Sequence, residues 1–159
     1  LAEKAAEFWV REGWLTQEEA NSDPAGLARM AGLTRERIRT VNDFPNFGYF
    51  FKDPESYDEK ARRKHWRSDT PARVEALVSC LEELESLDVV SAEGATRTLA
   101  GELGISASRL IHPTRLALSG VPYGPGLFEL MEALGKETCI RRIRKALNAL
   151  SDEGLVDSP

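Results

Sequence analysis

The sequence predicts an all-α fold, and three observations support this. Apolar residues recur at intervals of three and four along most of the chain, as they do on one face of a helix. Helix start and stop signals separate these segments: Glu19 three residues after Thr16, Pro71 after the N-cap candidate Thr70, and Gly104 after an apolar run. No segment alternates apolar and polar residues between turn signals, as a strand would.

The chain of 159 residues is long enough for one domain or for two small lobes, and Ser68–Pro71 is the best boundary. The first lobe, residues 1–68, has predicted helices over 2–12, after Thr16, over 24–31 and over 55–67, and residues 34–40 carry three Arg residues around Ile38. It also holds a dense aromatic block, residues 44–51. We expect this block in the core because phenyl side chains at that density rarely stay in water; a stacking platform for bases is the alternative.

The second lobe, residues 69–159, contains the clearest helix of the chain. Its apolar stripe is Val74, Leu77, Val78, Leu81 and Leu84. Further helices are predicted over about 92–103 and about 107–119, the latter interrupted early by His112-Pro113. An elbow follows at residues 120–126, where three Gly and two Pro cannot continue a helix. Two more helices, separated by Gly135, complete the pattern.

Composition limits the function classes. A net charge of −5 is unusual for a free-standing nucleic-acid-binding protein, although a local basic face is compatible with it. The two Cys and two His lack zinc-ligand spacing, and we expect Cys80 and Cys139 to be reduced core thiols of a cytosolic protein. The sequence has neither an apolar run of about 18 residues nor a signal peptide. It lacks an initiator Met and opens in a helical pattern, so we expect a fragment of a longer protein.

Residues 112–150 carry the most informative pattern. Four short motifs occur there: His112-Pro113-Thr114-Arg115-Leu116-Ala117-Leu118-Ser119-Gly120, Gly124-Pro125-Gly126-Leu127-Phe128, Leu134-Gly135-Lys136-Glu137 and Arg141-Arg142-Ile143. In order and spacing they resemble the C-terminal end of bacterial glutamyl-tRNA synthetase. The resemblance extends over the whole chain, with residues 1–68 more diverged but matching in helical character and in Phe50-Phe51.

The resemblance implies an anticodon-binding half made of two helical subdomains, 1–68 and 69–159, that form a cage around the anticodon. The family's catalytic half and its two signature motifs have no counterpart here, so no catalytic residue is named and the chain is not expected to aminoacylate alone. ATP and Mg²⁺ are implied for the missing catalytic domain, and no cofactor for this chain. The implied partners are glutamate tRNA, with glutamine tRNA left open, and the upstream catalytic domain. We expect a cytoplasmic monomer without a membrane contact.

The resemblance also implies roles for residues at the elbow. Arg115 matches the family Arg that contacts the first anticodon base, and Pro125, Gly126 and Leu127 match the segment that touches the same base through backbone and apolar contact. The alternatives are a surface Arg that packs its stem on neighbouring Leu residues and an ordinary helix start. Gly124 departs from the family pattern, which often has a hydroxyl residue there, so a side-chain hydrogen bond is lost.

Two further sets of basic residues are candidates for RNA contact. Arg37 and Arg39 lie near the family Arg that selects C at the third anticodon position; the register stays open, and a solvated basic face is the alternative. Phosphate contacts, which position RNA without recognising its sequence, are expected from six cations. These are Arg62, Lys64, Arg67, Arg141, Arg142 and Arg144.

Two other functions compete with this one. A helical protein–protein scaffold, with the basic last helix docked on an acidic partner, fits the sequence pI of about 5.2. A small enzyme is disfavoured because the sequence offers no nucleophile–base pair, metal cluster or phosphate loop. His65 and His112 are therefore expected to be structural.

Overall fold

The computed structural model of the protein describes residues 1–35 and 41–152, apart from the side chains of residues 41, 42, 44–46, 151 and 152. Within those residues every regular element is helical, which confirms the all-α prediction. The α-helices are α1 (Ala2–Arg11), α2 (Gln17–Ser22), α3 (Pro24–Thr34), α4 (Glu59–His65), α5 (Thr70–Glu83), α6 (Val89–Leu103), α7 (Ser108–Ser119), α8 (Leu127–Leu134) and α9 (Lys136–Asp152). A 3-10 segment, Val41–Phe50, lies between α3 and α4 in the chain. None of the described helices is long and apolar enough to cross a membrane.

The chain folds into two compact units, Leu1–Lys52 and Asp53–Pro159. The boundary thus lies one short helix before the predicted lobe boundary at 68/69. The physical reason is that α4 packs against α7 and so belongs with the second unit. The two predicted anticodon-binding subdomains, 1–68 and 69–159, stay a prediction.

The first unit packs α1, α2 and α3 around Trp9, whose side chain is fully buried. The predicted capping box starts α2: the Glu19 amide donates to the Thr16 hydroxyl at 3.1 Å, and the Thr16 amide donates to the Glu19 carboxylate at 2.8 Å. Part of the aromatic block is buried, as predicted for a core segment. Its buried residues are Phe47, Tyr49 and Phe50.

In the second unit α5 packs against α6, α7 and α9, and α8 packs against α6 and α9. Burial of the apolar stripes of α5 and α9 forms the centre of its core. The buried members of those stripes are Val74, Leu77, Val78, Leu81, Cys139, Ile143, Ala146 and Leu150. Cys80 and Cys139 are both free thiols, and burial raises the pKa of Cys139 to about 12.

Four helices differ in extent or continuity from the prediction. α5 starts at Thr70 because Asp69 takes the N-cap position, and α6 starts at Val89 because Asp88 forms a capping box with Ser91. α7 continues through Pro113, where the sequence suggested an interruption. Pro113 lies inside α7 and has no N–H to donate to the preceding turn, so the helix lacks one hydrogen bond there. Buried side chains on both sides of it, Leu110 and Leu116 among them, keep the helix continuous. α4 covers only Glu59–His65 of the predicted 55–67 segment, with Asp58 as its N-cap.

Candidate functional site

The elbow starts where α7 ends, at a glycine that the local geometry requires. Gly120 has φ +75°, and its amide donates to the Leu116 carbonyl at 2.8 Å. A Cβ on Gly120 would lie 2.5 Å from the carbonyl oxygen of Ser56, and the Gly120 carbonyl accepts from the Asp58 amide at 2.8 Å. The loop before α4 therefore passes directly against the start of the elbow, and only glycine satisfies both constraints.

The side chain of Ser119 fixes the first turn of the elbow. Its hydroxyl oxygen lies 2.9 Å from the Arg115 carbonyl oxygen and 3.0 Å from the Val121 carbonyl oxygen, and the Val121 amide donates to it at 3.3 Å. Ser119 is buried, so these contacts satisfy polar groups that water does not reach. The Ser-Gly pair of the first motif thus ends α7 and sets the direction of the chain.

Arg115 lies in the second half of α7, and its side chain reaches the other end of the elbow. Its Nη1 donates to the carbonyl oxygen of Pro125 at 2.6 Å. Arg115 is half-buried, and this hydrogen bond is itself partly buried. The structure therefore brings Arg115 together with residues 125–127, as the sequence predicted. A contact between Arg115 and an anticodon base stays a prediction.

The elbow residues differ in exposure. Pro125 and Leu127 are buried, with Leu127 only 3% exposed, whereas Gly126 is exposed. Of the three predicted elbow contacts, Gly126 is therefore the exposed one, and the Glu129 carboxylate lies against it, close to where a Cβ would be placed. Tyr123, in the same loop, is 52% exposed.

The departure at Gly124 has a conformational reason. Its φ is +137°, a backbone conformation that residues with a Cβ rarely adopt. A hydroxyl residue at this position would be strained in the elbow as it is built here.

The third motif has a structural role at the start of α9. Gly135 ends α8 with φ +85°, and Lys136 begins α9. The Lys136 Nζ donates to the carbonyl oxygens of Glu82 and Leu84, at 2.8 Å and 2.5 Å. Those carbonyls belong to the C-terminal end of α5, where a cation is favourable. Lys136 therefore fixes α9 against α5.

Arg142 differs most from its predicted role as a phosphate contact. Its side chain is only 2% exposed; its Nε donates to Asp53 at 3.1 Å and its Nη1 donates to the Leu118 carbonyl at 2.8 Å. Burial lowers the pKa of Arg142, and the neighbouring Asp53 carboxylate opposes that shift. Because an arginine side chain is not deprotonated in proteins, Arg142 keeps its positive charge. Arg142 is a buried charge that joins α9 to α7 and to the start of the second unit, and a phosphate has no access to it.

The neighbouring cations of α9 are at the surface but already paired. Arg141 donates to Asp53, and Arg144 donates to Glu82. The hydrogen bond from Arg141 is the main cause that lowers the pKa of the Asp53 carboxyl, with the charges of Arg141 and Arg142 adding to it. A phosphate contact from Arg141 or Arg144 would compete with these carboxylates, and it stays a prediction.

The remaining predicted phosphate contacts lie on and after α4. Arg62 is half-buried, whereas Lys64 and Arg67 are exposed. Lys64 and Arg67 line a groove of about 600 Å³ between α4, α5 and α7. The same groove is bordered by His65 and His112, whose rings stack with centroids 4.4 Å apart.

The family of the chain is decided by comparison with known proteins. The family model described as "Anticodon binding domain" matches residues 1–147. The chain belongs to the anticodon-binding domain family. Its elbow is thus part of an anticodon-binding domain, and the predicted family is confirmed.

Relatives of this anticodon-binding domain include glutamate–tRNA ligases. The chain is 38% identical to the glutamate–tRNA ligase of Chloroherpeton thalassium over 151 residues, which are 94% of this chain and 29% of that protein. It is 40% identical to glutamate–tRNA ligase 1 of Caldanaerobacter subterraneus over 134 residues, 83% of this chain and 28% of that protein. A crystal structure of a glutamate tRNA ligase from Elizabethkingia meningosepticum, in complex with its amino acid, superposes with a TM-score of 0.78 at 31% identity, covering 91% of this chain and 28% of that one. The domain thus spans less than a third of these relatives.

Two functional predictions for the domain fall on residues that the structure does not describe. Arg37 and Arg39 fall within residues 36–40, outside the described residues. Tyr123 has no predicted role beyond its place in the elbow. Its position between Pro122 and Gly124, outside any predicted helix, was the signal that its ring would be exposed. The sequence places Asp53 only in a turn, because its three cationic neighbours come from the distant α9.

Proposed function

We propose that this chain is the anticodon-binding region of a glutamate–tRNA ligase. In this proposal it binds the anticodon of glutamate tRNA, and a catalytic domain of the same protein attaches glutamate to that tRNA with ATP. Support comes from the family, from relatives that are glutamate–tRNA ligases, and from the chemistry of the elbow. ATP and Mg²⁺ belong, in this proposal, to the catalytic domain, and the protein acts as a cytoplasmic monomer.

The observation that carries the proposal is the bond between Arg115 and the Pro125 carbonyl. A guanidinium group carries five N–H donors in one rigid plane, a geometry suited to hydrogen bonding with the edge of a base. The bond fixes the position of that plane next to Gly126. A fixed guanidinium beside exposed backbone is what recognition of an unpaired RNA base requires.

Tyr123 supplies the second element of such a site. Unpaired RNA bases are bound by stacking on aromatic rings as well as by hydrogen bonds to their edges. The ring is 52% exposed although it belongs to a large apolar side chain, and it lies in the same loop as Gly126. We propose that it stacks on a base of the anticodon loop.

The test is a binding measurement with matched tRNAs. The chain is titrated with glutamate tRNA and with two versions of it, one changed at the first anticodon base and one with G in place of C at the third. We expect the first change to weaken binding by about 1–3 kcal/mol, or roughly 5- to 150-fold, if Arg115 contacts that base. The second change tests the proposal that Arg37 or Arg39 selects C. Equal affinity for all three tRNAs would overturn the proposed function.

The alternative function, a scaffold that docks its basic last helix on an acidic partner, has less support. Of the cations on α9, Arg142 is buried, and Arg141 and Arg144 already pair with carboxylates of this chain. An acidic partner would have to displace Asp53 and Glu82. A scaffold would also bind independently of tRNA, so the same titration separates the two functions.

A further inference from the structure

The groove between α4, α5 and α7 adjoins the elbow, whose Pro122 borders it, and it collects positive charge on a chain that is acidic overall. It is lined by Lys64, Arg67, Arg73 and Arg109, with Asp69 as the carboxylate among its lining residues. Asp69 pairs with Arg73 at 2.7 Å. Within the ranges that the structure describes, Lys64, Arg67 and Arg109 are exposed and form no ion pair. Because the chain as a whole has a net charge of −5, the fold rather than the composition brings these cations together.

The floor of the groove is held in place by Thr70. Its hydroxyl accepts from the Arg67 amide at 2.9 Å and lies 3.2 Å from the His65 carbonyl oxygen, to which it donates. This pair of contacts fixes the backbone of the short connection between α4 and α5, from which Arg67 extends. Because Thr70 is 3% exposed, the bonds are protected from water. The groove is therefore a built concavity, which differs from a row of independent surface lysines and arginines.

A second hollow extends the positive surface along α4. It shares Lys64 and Arg67 with the groove and adds Lys60 and Arg63. Asp58 and Glu59 also border it, and Glu59 pairs with Arg63. A single free phosphate would need only one of these hollows. A chain of phosphates fits both, which favours an RNA backbone over a small anion.

We propose that the groove binds the phosphodiester backbone of the tRNA whose anticodon occupies the elbow, and that the stacked His65 and His112 take up one proton as the phosphate enters. The inference rests on the proposed function, since the RNA is the same molecule. It assigns to the groove a positioning role without base recognition, because cations that contact phosphates do not distinguish sequences.

The protonation part follows from the surroundings of the two rings. Burial is the main cause that lowers the pKa of both imidazoles; for His65 the nearby His112, Lys64 and Arg67 lower it further, and for His112 the charges of Arg115 and Lys64 do so. Arg73 and Arg109 add positive charge from α5 and α7, and Asp69 opposes them from the α4–α5 connection. The free groove thus favours neutral rings.

A bound phosphate reverses that preference. Its negative charge raises the pKa of the ring that it contacts, so the complex holds a proton at a pH where the free protein does not. Binding then tightens as the pH falls through the interval between the raised and the lowered pKa. Two rings 4.4 Å apart repel as cations, so one proton is taken up, and the limit is tenfold in affinity per pH unit.

The experiment measures binding of the chain to glutamate tRNA as a function of salt, for Lys64→Gln and Arg109→Gln. The matched control is Arg97→Gln on α6, which removes an exposed cation that pairs with Glu93 and lies outside both hollows. We expect each groove variant to reduce the slope of log K against log salt by about 0.7 to 0.9, while the control keeps the wild-type slope. The affinity ratio between glutamate tRNA and its anticodon variants should not change.

The pH arm uses His112→Asn. Wild type should bind more tightly as the pH is lowered from about 8 to about 6, and the variant should lose most of that dependence. Inorganic phosphate alone, followed by the imidazole proton shifts of both histidines, tests a small-anion site. If phosphate saturates the groove as tightly as the tRNA does, the assignment to RNA backbone is wrong.

The outcomes separate this inference from the proposed function. If both groove variants bind like Arg97→Gln while wild type still distinguishes anticodons, the groove assignment fails and the elbow assignment stands. If the groove variants lose anticodon discrimination, the groove is not a backbone site and the inference is also wrong. If wild type binds no tRNA, the proposed function fails and the inference fails with it. Thermal unfolding of each variant should match wild type, since the replaced side chains are exposed.

Discussion

Replacement of Arg115 by Ala tests whether this side chain recognises RNA or only holds the elbow. In the structure its Nη1 donates to the Pro125 carbonyl at 2.6 Å. The change removes that bond and leaves the carbonyl of a buried proline without its charged donor. A loss of folding stability is therefore expected whatever the function of Arg115, and its size must be separated from any effect on RNA.

The two effects can be given magnitudes. A hydrogen bond from a charged donor contributes about 1.5–3 kcal/mol. Because Arg115 is half-buried and water can replace part of the bond, we expect a loss of about 1 kcal/mol in the free energy of unfolding. If the guanidinium also contacts the first anticodon base, discrimination at that base falls by a further 1–3 kcal/mol, or roughly 5- to 150-fold in Kd.

Denaturant unfolding gives the first number, and titration with glutamate tRNA and its first-base variant gives the second. Arg115→Lys is the informative partner, because it keeps the charge but not the planar set of donors. We expect it to retain the salt dependence of binding and to lose discrimination at the first base. If Arg115→Ala is destabilised but still distinguishes the two tRNAs as wild type does, Arg115 only holds the elbow and its assignment to a base contact is refuted.

Three further substitutions test other parts of the site. Tyr123→Ala should weaken tRNA binding by about 1–3 kcal/mol without affecting unfolding, since the ring is 52% exposed; an unchanged Kd would remove stacking from the proposal. Gly120→Ala should lower the free energy of unfolding by about 2 kcal/mol or more, because of its φ of +75° and a carbonyl 2.5 Å from the new Cβ; a fully stable variant would show that the loop before α4 can shift. Asp53→Ala should cost about 3 kcal/mol in denaturant unfolding because it leaves Arg142, 2% exposed, without its carboxylate; a second change, Arg142→Met, should recover much of that loss. The pKa of the Asp53 carboxyl is lowered chiefly by the hydrogen bond from Arg141. The carboxylate therefore stabilises the folded protein fully above about pH 4, and this stabilisation is lost as the pH falls through the lowered folded-state pKa. Acid unfolding should accordingly show the difference in stability between wild type and Asp53→Ala shrinking as the pH falls.

Local patterns were sufficient to predict most of the helices and the family. The capping box of Thr16 and Glu19, the glycines at positions 104, 120 and 135, and the apolar stripes of α5 and α9 depend on residues three or four apart. Such neighbours stay together in any arrangement of the helices, so their consequences are legible in the sequence. Errors occurred where a local signal had a competitor, as at Pro113, which the packing of α7 overrides.

The sequence by itself determined that this chain is helical, that it bends at residues 120–126, and that Arg115 precedes the bend by about one helical turn. Only the tertiary structure decided which cations are available to RNA. Arg141, Arg142 and Arg144 are alike in the sequence, yet one is buried and the other two are already paired, because Asp53 and Glu82 approach α9 from distant parts of the chain. Tertiary structure likewise assembled the groove from α4, α5 and α7. The environment of a charge is set by every element that packs around it, and no periodicity within a single helix encodes those neighbours.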